Sequence, residues 1–357
     1  MMTLHQRTYS CKTSHPDGGF SLLELMVAMV IFLVISGSVW SVLTVALKSR
    51  SVVSQQVGLA KNVRIGLNLI GRDTYNAGFG YPLKSSVVLR DNRISSALGI
   101  PNDYDTSRDT VPPIIAGNNI TLNNYNTSPN VRTDQVTFLY KDSTFNPVGS
   151  GADAVSQPVN INLPTTSGGN DEIIPMSGSN SCCRVNDLYL VTGNTGSTLA
   201  VSTALAGTNR IRFGGSDPLG FNRPGTSGPL RSTITAPASM QRVLMVTYFV
   251  TSDGTLTRRE HANITPTTAF VDNPLVYGVE DFQIHYVLDS GVIVDDPSAG
   301  PDGIAGTADD TPSNLAAVRQ VRFTISVRSR ELNSSGQPFR ESMTVTYGTR
   351  NLGYDAN

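Results

Sequence analysis

Histidine and cysteine, the residues most used for acid–base chemistry and metal binding, are scarce: four and three respectively in 357 residues. His5, His15 and Cys11 precede Gly19, which leaves His261, His285 and the adjacent Cys182 and Cys183 beyond it. Such spacing provides neither a zinc site nor a disulfide framework. The chain also lacks a GxSxG elbow, an HExxH pair and a phosphate loop. Each histidine falls in a strand region and reads as a strand or turn residue rather than a base, so no enzyme activity is expected. Charge is thin as well. The 27 basic and 28 acidic residues leave a net −1. Setting aside Arg7, Lys12 and Asp17, which together carry +1, leaves −2. Near neutrality, with no basic groove beside an aromatic platform, argues against direct nucleic-acid binding. No fixed repeat period appears, which excludes a solenoid. The length allows one large domain or two modest ones.

Apolar residues are concentrated in one place. Residues 20–47 read FSLLELMVAMVIFLVISGSVWSVLTVAL, with Glu24 the only charge. This run exceeds the ~20 residues that cross a bilayer, and the short positive segment before it favours a cytoplasmic N-terminus. A secretory signal would close on a small-x-small site after a shorter apolar core; here Gly18 and Gly19 precede the run, so a cut at this point leaves the helix attached. A carboxylate within the run costs roughly 2.5–3.5 kcal/mol on insertion scales, less where it can snorkel to the interface.

The stretch GGFSLLELMVAM resembles the prepilin motif of type IV pilins and type II secretion pseudopilins: Gly, then Phe, with Glu as the fifth mature residue. The resemblance implies cleavage between Gly19 and Phe20 by a membrane aspartic peptidase and methylation of the new Phe20 amino group. An inner-membrane assembly platform would then draw the helix into a filament with other major and minor pilins. Glu24 would pair with the Phe20 amino group of its own chain or of a neighbour, which would set the axial register. The leader departs from the pattern in its length and in Asp17, two residues before the cut.

Beyond Arg50 the apolar residues Val53, Val57, Ala60, Val63, Leu67 and Ile70 follow steps of three and four, predicting an amphipathic continuation of the helix. The glycines and proline in AGFGYP predict its end near Asn76. At ~1.5 Å per residue such a helix would be roughly 85 Å long. Gly37, between two serines, marks either a soft point or a close-packing site between membrane helices.

From Lys84 onward, short alternating segments separated by turn-rich stretches predict a β-rich domain. The strand candidates are residues 135–140, 187–191, 242–250, 281–288, 318–328 and 341–347. Within 318–328, Val321, Phe323, Ile325 and Val327 alternate with Arg322, Thr324, Ser326 and Arg328, so one face is buried. Asp253-Gly254 predicts a hairpin joining TYFVT to TLTRRE. Residues 143–180 and 203–235, dominated by Gly, Ser, Thr, Asn and Pro, are expected to be surface loops or partly disordered. The fold class expected is α+β: a long N-terminal transmembrane and amphipathic helix followed by a β-rich head with antiparallel sheets. The chain divides into a leader at 1–19, a helix at 20–80 and a head at 81–357. Within the helix, 20–47 is the transmembrane and polymerisation half and 48–80 the amphipathic half.

NAGFG, YFVTSDGTLTRRE, GVEDFQIHYVLD, VRFTISVRSRE and TVTYGTRNL, in this order, look like segments of PilW-type minor pilins. That resemblance implies a subunit that primes or caps a type IV pilus and so supports twitching, adhesion or DNA uptake. It would be held in the inner membrane before passing into a periplasmic or extracellular filament. A GspJ-like pseudopilin of type II secretion shares the plan. An adhesin head on a pilin stalk is the rival of another class.

No cofactor is required on this reading. Asp295, Asp296, Asp302, Asp309 and Asp310 lie in a Gly-rich stretch that can offer oxygen ligands to a structural calcium or can stand as a solvated acidic loop; it lacks the EF-hand spacing. Cys182 and Cys183 can form a strained vicinal disulfide, bond other subunits or stay free. Asn119-Ile-Thr and Asn263-Ile-Thr match a glycosylation pattern that is common by chance.

Overall fold

The computed structural model describes residues 19, 21–82, 87–89, 93–100, 109–125, 131–149, 154–264, 269–297, 317–332 and 336–352. The chain divides into two compact units between Gln55 and Gln56. A single helix, α1 (Leu22–Asn76), contributes its first part to one unit and its last turns to the other.

In the first unit α1 is long and apolar enough to cross a membrane, and none of its residues is buried by the protein. Two of its hydroxyls bond within the helix: Ser38 Oγ donates to the Val34 carbonyl at 2.8 Å and Thr44 Oγ1 to that of Ser41 at 2.8 Å. Internal pairing of this kind is what a hydrocarbon surrounding demands. The helix runs unbroken through Gly37.

In the second unit α1 buries the predicted stripe only from Val63 onward; Val57, and Val53 in the first unit, are exposed. Val63, Leu67 and Ile70 are at most 1% exposed, and Gly66 and Gly71 share their face. The helix ends where Gly78 and Gly80 take φ of 78° and 63°, a left-handed conformation that glycine adopts without a Cβ penalty.

The head is organised around one long strand, Ala238–Val250, at the centre of an eight-stranded antiparallel sheet. Four strands pair with it: Arg132–Lys141, Val159–Ile161, Leu188–Thr192 and Thr255–His261. Ile114–Leu122, Ser197–Val201 and Phe270–Tyr277 extend the sheet outward. A four-stranded sheet combines Ile293–Val294, Val279–Leu288, Val318–Leu332 and Pro338–Gly348. Its inner rows, Phe282, Ile284 and Tyr286 against Val321, Phe323 and Ile325, form one core with the α1 stripe and with Phe138 and Tyr248 of the large sheet. The α+β expectation is thus met, the 253–254 turn joins paired strands, and all six strand candidates lie on strands.

The two stretches expected as loops are different. Residues 143–180 contribute five short strands, and residues 203–235 contribute two strands and a one-turn helix, Pro229–Ser232. Asn170–Ile173 pairs with Arg210–Phe213 inside a second four-stranded sheet, where Glu172 takes Arg210 at 3.0 Å and Arg212 at 2.8 Å. Six of their apolar residues, Phe145, Ile161, Ile173, Ile211, Phe213 and Leu230, enter one core with Tyr189, while Val148, Val155, Leu163 and Met176 stay exposed. Strands of two to four residues show too little alternation to be seen in a sequence, yet a core shared with strands from elsewhere is enough to fix them.

Candidate assembly site

The helix start carries the first constellation. Ser21 donates its backbone N–H to Glu24 Oε2 at 2.9 Å, and the Glu24 N–H donates to Ser21 Oγ at 3.2 Å. This is a reciprocal capping box, with the carboxylate at the positive end of the helix dipole. Ser21-Leu-Leu-Glu24 was therefore legible as a helix start as well as part of a cleavage motif. Gly19 is exposed. Phe20 lies outside the described residues. The cap engages one Glu24 oxygen and leaves Oε1 for another donor.

The second constellation binds the helix to the head, and its central residue is one that pattern reading passed over. Asp73 is fully buried on α1, one step of three beyond Ile70 on the apolar stripe. Its Oδ2 accepts from Arg258 Nε at 2.9 Å and Tyr248 Oη at 2.7 Å, and its Oδ1 from Tyr140 Oη at 3.1 Å. Three strands thus meet one helical carboxylate. Burial alone would lower the Arg258 pKa, but the Asp73 charge, the hydrogen bond to Glu260 and Tyr248 together outweigh it and hold the guanidinium above its ordinary value. Both tyrosines are raised, first by burial and then by Asp73. A carboxylate at an apolar position of an amphipathic helix was the available signal.

The remaining predicted residues are placed as follows. Asp295 Oδ1 lies 3.3 Å from His285 Nε2. Asp296 is described, while Asp302, Asp309 and Asp310 lie outside the described residues. Among the described residues no group of three or more His, Cys, Asp or Glu side chains is gathered in a way that could hold a metal. Cys182 is half-buried and Cys183 buried, and both are free thiols. A hydrogen bond between the two thiols lowers Cys182 and raises Cys183. His261 is buried in the large sheet, bonded through Nε2 to Thr247 Oγ1 at 2.8 Å, and burial pushes its pKa down to about 3. It is a neutral core residue.

Residues 15–40 match the prokaryotic N-terminal methylation motif. The match supports a type IV pilin-like or pseudopilin protein that is processed by a prepilin peptidase and assembles with other pilins; proteins of this kind are structural rather than enzymatic. No curated protein matches the chain.

Proposed function

We propose that this protein is a PilW-type minor pilin, cut after Gly19, methylated on Phe20 and built into a type IV pilus that it primes or caps. The observation that carries the proposal is the methylation motif at 15–40 leading into an apolar helix whose first unit buries nothing of its own. The PilW-like segments support it: NAGFG ends α1, YFVTSDGTLTRRE makes the central hairpin, and VRFTISVRSRE and TVTYGTRNL lie on adjacent strands of the four-stranded sheet. In the filament, the Phe20 amino group of a neighbour would take the oxygen of Glu24 that the cap leaves over. The pair would offset the cost of placing either charge in an apolar bundle.

Two measurements test this. N-terminal sequencing of protein from the native host should begin at methylated Phe20; a stable form beginning at Met1 would remove the proposal. Recovery in sheared surface filaments should fail for Glu24→Val while cleavage and membrane insertion persist, because removing one partner of a buried ion pair costs ~3–5 kcal/mol. Glu24→Gln keeps a capping residue but no charge, so it should share the defect; normal filament entry of this variant would leave the cap as the residue's whole role. Wild-type protein found with a secretion system's filaments instead of pili would favour a pseudopilin.

A further inference from the structure

The two Asn-x-Thr triplets come to opposite fates in the fold. Asn263 is engaged at both ends of its carboxamide: Oδ1 accepts from the Leu188 N–H at 2.9 Å, and Nδ2 donates to the Val243 carbonyl at 2.8 Å. Asn263 is half-buried, so a substituent on Nδ2 would crowd the bond to Val243 beside two fully buried residues, Leu188 and Val243. Asn119 sits at an irregularity in Ile114–Leu122, where the register jumps from Gly117↔Gln135 to Thr121↔Thr133. Three residues, 118–120, thus face the single Asp134. The Asn119 N–H donates to Asp134 Oδ1 at 2.8 Å, and its φ is 54°, a left-handed value that asparagine tolerates better than most residues. The backbone is therefore pinned while the side chain stays exposed, its Nδ2 reaching only the neighbouring Asn118 Oδ1 at 2.8 Å.

We propose that Asn119 is an acceptor site for an N-linked glycan on the folded head, and that Asn263 is not. The donor is of the polyprenyl-diphosphate oligosaccharide class, and the catalyst is a transferase on the same side of the membrane as the head. Asn119 Nδ2 forms a bond to the anomeric carbon of the first sugar as the bond from that carbon to the diphosphate oxygen breaks. Polyprenyl diphosphate leaves with the bonding pair, and one Nδ2 proton passes to a base of the transferase. The Thr121 hydroxyl, two residues on, supplies the recognition element of the triplet. The inference rests on the reading above, which places the head outside the inner membrane.

The test is peptide and intact-mass spectrometry of full-length protein from the native host. A glycan-sized mass increment is expected on the peptide containing Asn119 and none on that containing Asn263. Asn119→Gln and Thr121→Ala should abolish it, while Thr121→Ser, which keeps the hydroxyl and the Asn119 backbone, should retain it. Asn119 at its bare mass overturns the proposal, as does an increment that survives Asn119→Gln or falls on Asn263. The N-terminal peptide in the same spectrum separates the two readings: methylated Phe20 with bare Asn119 removes only the glycan, whereas an N-terminus at Met1 removes the pilin reading.

Discussion

Glu24 and Asp73 stand on the same helix, and each interrupts an apolar pattern, but the two units treat them differently. Glu24 is exposed and finds its partners within its own first turn, Ser21 on both counts. Asp73 is fully buried and draws donors from three strands of the large sheet. The local solution holds a helix end in place and spares one carboxylate oxygen; the tertiary solution occupies both oxygens and fixes the helix against the sheet. A charge in an apolar stripe therefore marks either an interaction still to be made or one already complete. The number of partners within the chain tells which.

The largest expected effect breaks the second case. Asp73→Leu leaves the Arg258 guanidinium and two tyrosine hydroxyls facing an apolar side chain, and removing one member of a buried pair costs ~3–5 kcal/mol. Arg258→Met should cost a similar amount. The double variant should recover much of the loss, because well-packed apolar replacements of buried pairs are often nearly neutral. Urea unfolding of the detergent-solubilised full-length protein, followed by near-ultraviolet circular dichroism, reads this directly. Two single losses that simply add in the double variant would show that the residues are not coupled.

A smaller effect, of opposite sign in the two units, comes from glycine. A Cβ on Gly66 would lie 2.6 Å from Val276 Cγ2, a stiff side chain that is 1% exposed, whereas one on Gly37 would meet nothing within 4 Å. Overpacking costs typically ~1–3 kcal/mol, against a helix-propensity gain of ~1 kcal/mol for replacing glycine by alanine. Gly66→Ala should thus lower the stability of the head, and with it the urea midpoint, by a net amount on the order of 1 kcal/mol in free energy. Gly37→Ala should not lower it. A Gly66→Ala protein that unfolds with wild type would mean that the strand bearing Val276 gives way without cost.

These contrasts also explain what could be read from the sequence. The extent of α1 was legible because a continuous apolar run passes into steps of three and four and stops at glycines that need positive φ. The strand at Val318–Leu332 was legible because Val321, Phe323, Ile325 and Val327 alternate without a break. The Asn170–Ile173 and Arg210–Phe213 pair was not, since its core is completed by Tyr189 from a distant strand. Asp73 was missed for a related reason: apart from the adjacent Arg72, its donors lie on three strands and come together only when helix and sheet meet. Glu24 was found through its motif, while the cap it forms with Ser21 was equally local and equally readable.

Asp134 extends the comparison to a buried carboxylate whose partners are backbone groups. Its oxygens accept from the N–H of Asn119 at 2.8 Å and of Ile284 at 2.7 Å. Burial pushes its pKa up from the ordinary 3.8 to about 6, with the charges of Asp281 and Asp295 adding to the rise and the two N–H bonds opposing it. Because the folded value is raised, the fold binds this proton more tightly than the unfolded chain does, so the residue's contribution to stability grows as pH falls through 6 toward 3.8. His261 acts in the opposite sense. Its depressed value, about 3 against 6.5, gives stability that is present above pH 6.5 and lost as pH falls toward 3. The two oppose each other across pH 4–6, so wild type alone would conceal both. The difference between wild type and Asp134→Asn cancels the histidine, and the misfit of the amide against one N–H is a constant offset. Between pH 6 and pH 5 wild type should gain ~1 kcal/mol on the variant, from 1.36 kcal/mol per unit of pKa difference. Urea midpoints collected from pH 7 to pH 4.5 measure it, and a difference that stays flat across that range would show that the two N–H bonds offset burial and that Asp134 ionises like a surface carboxylate.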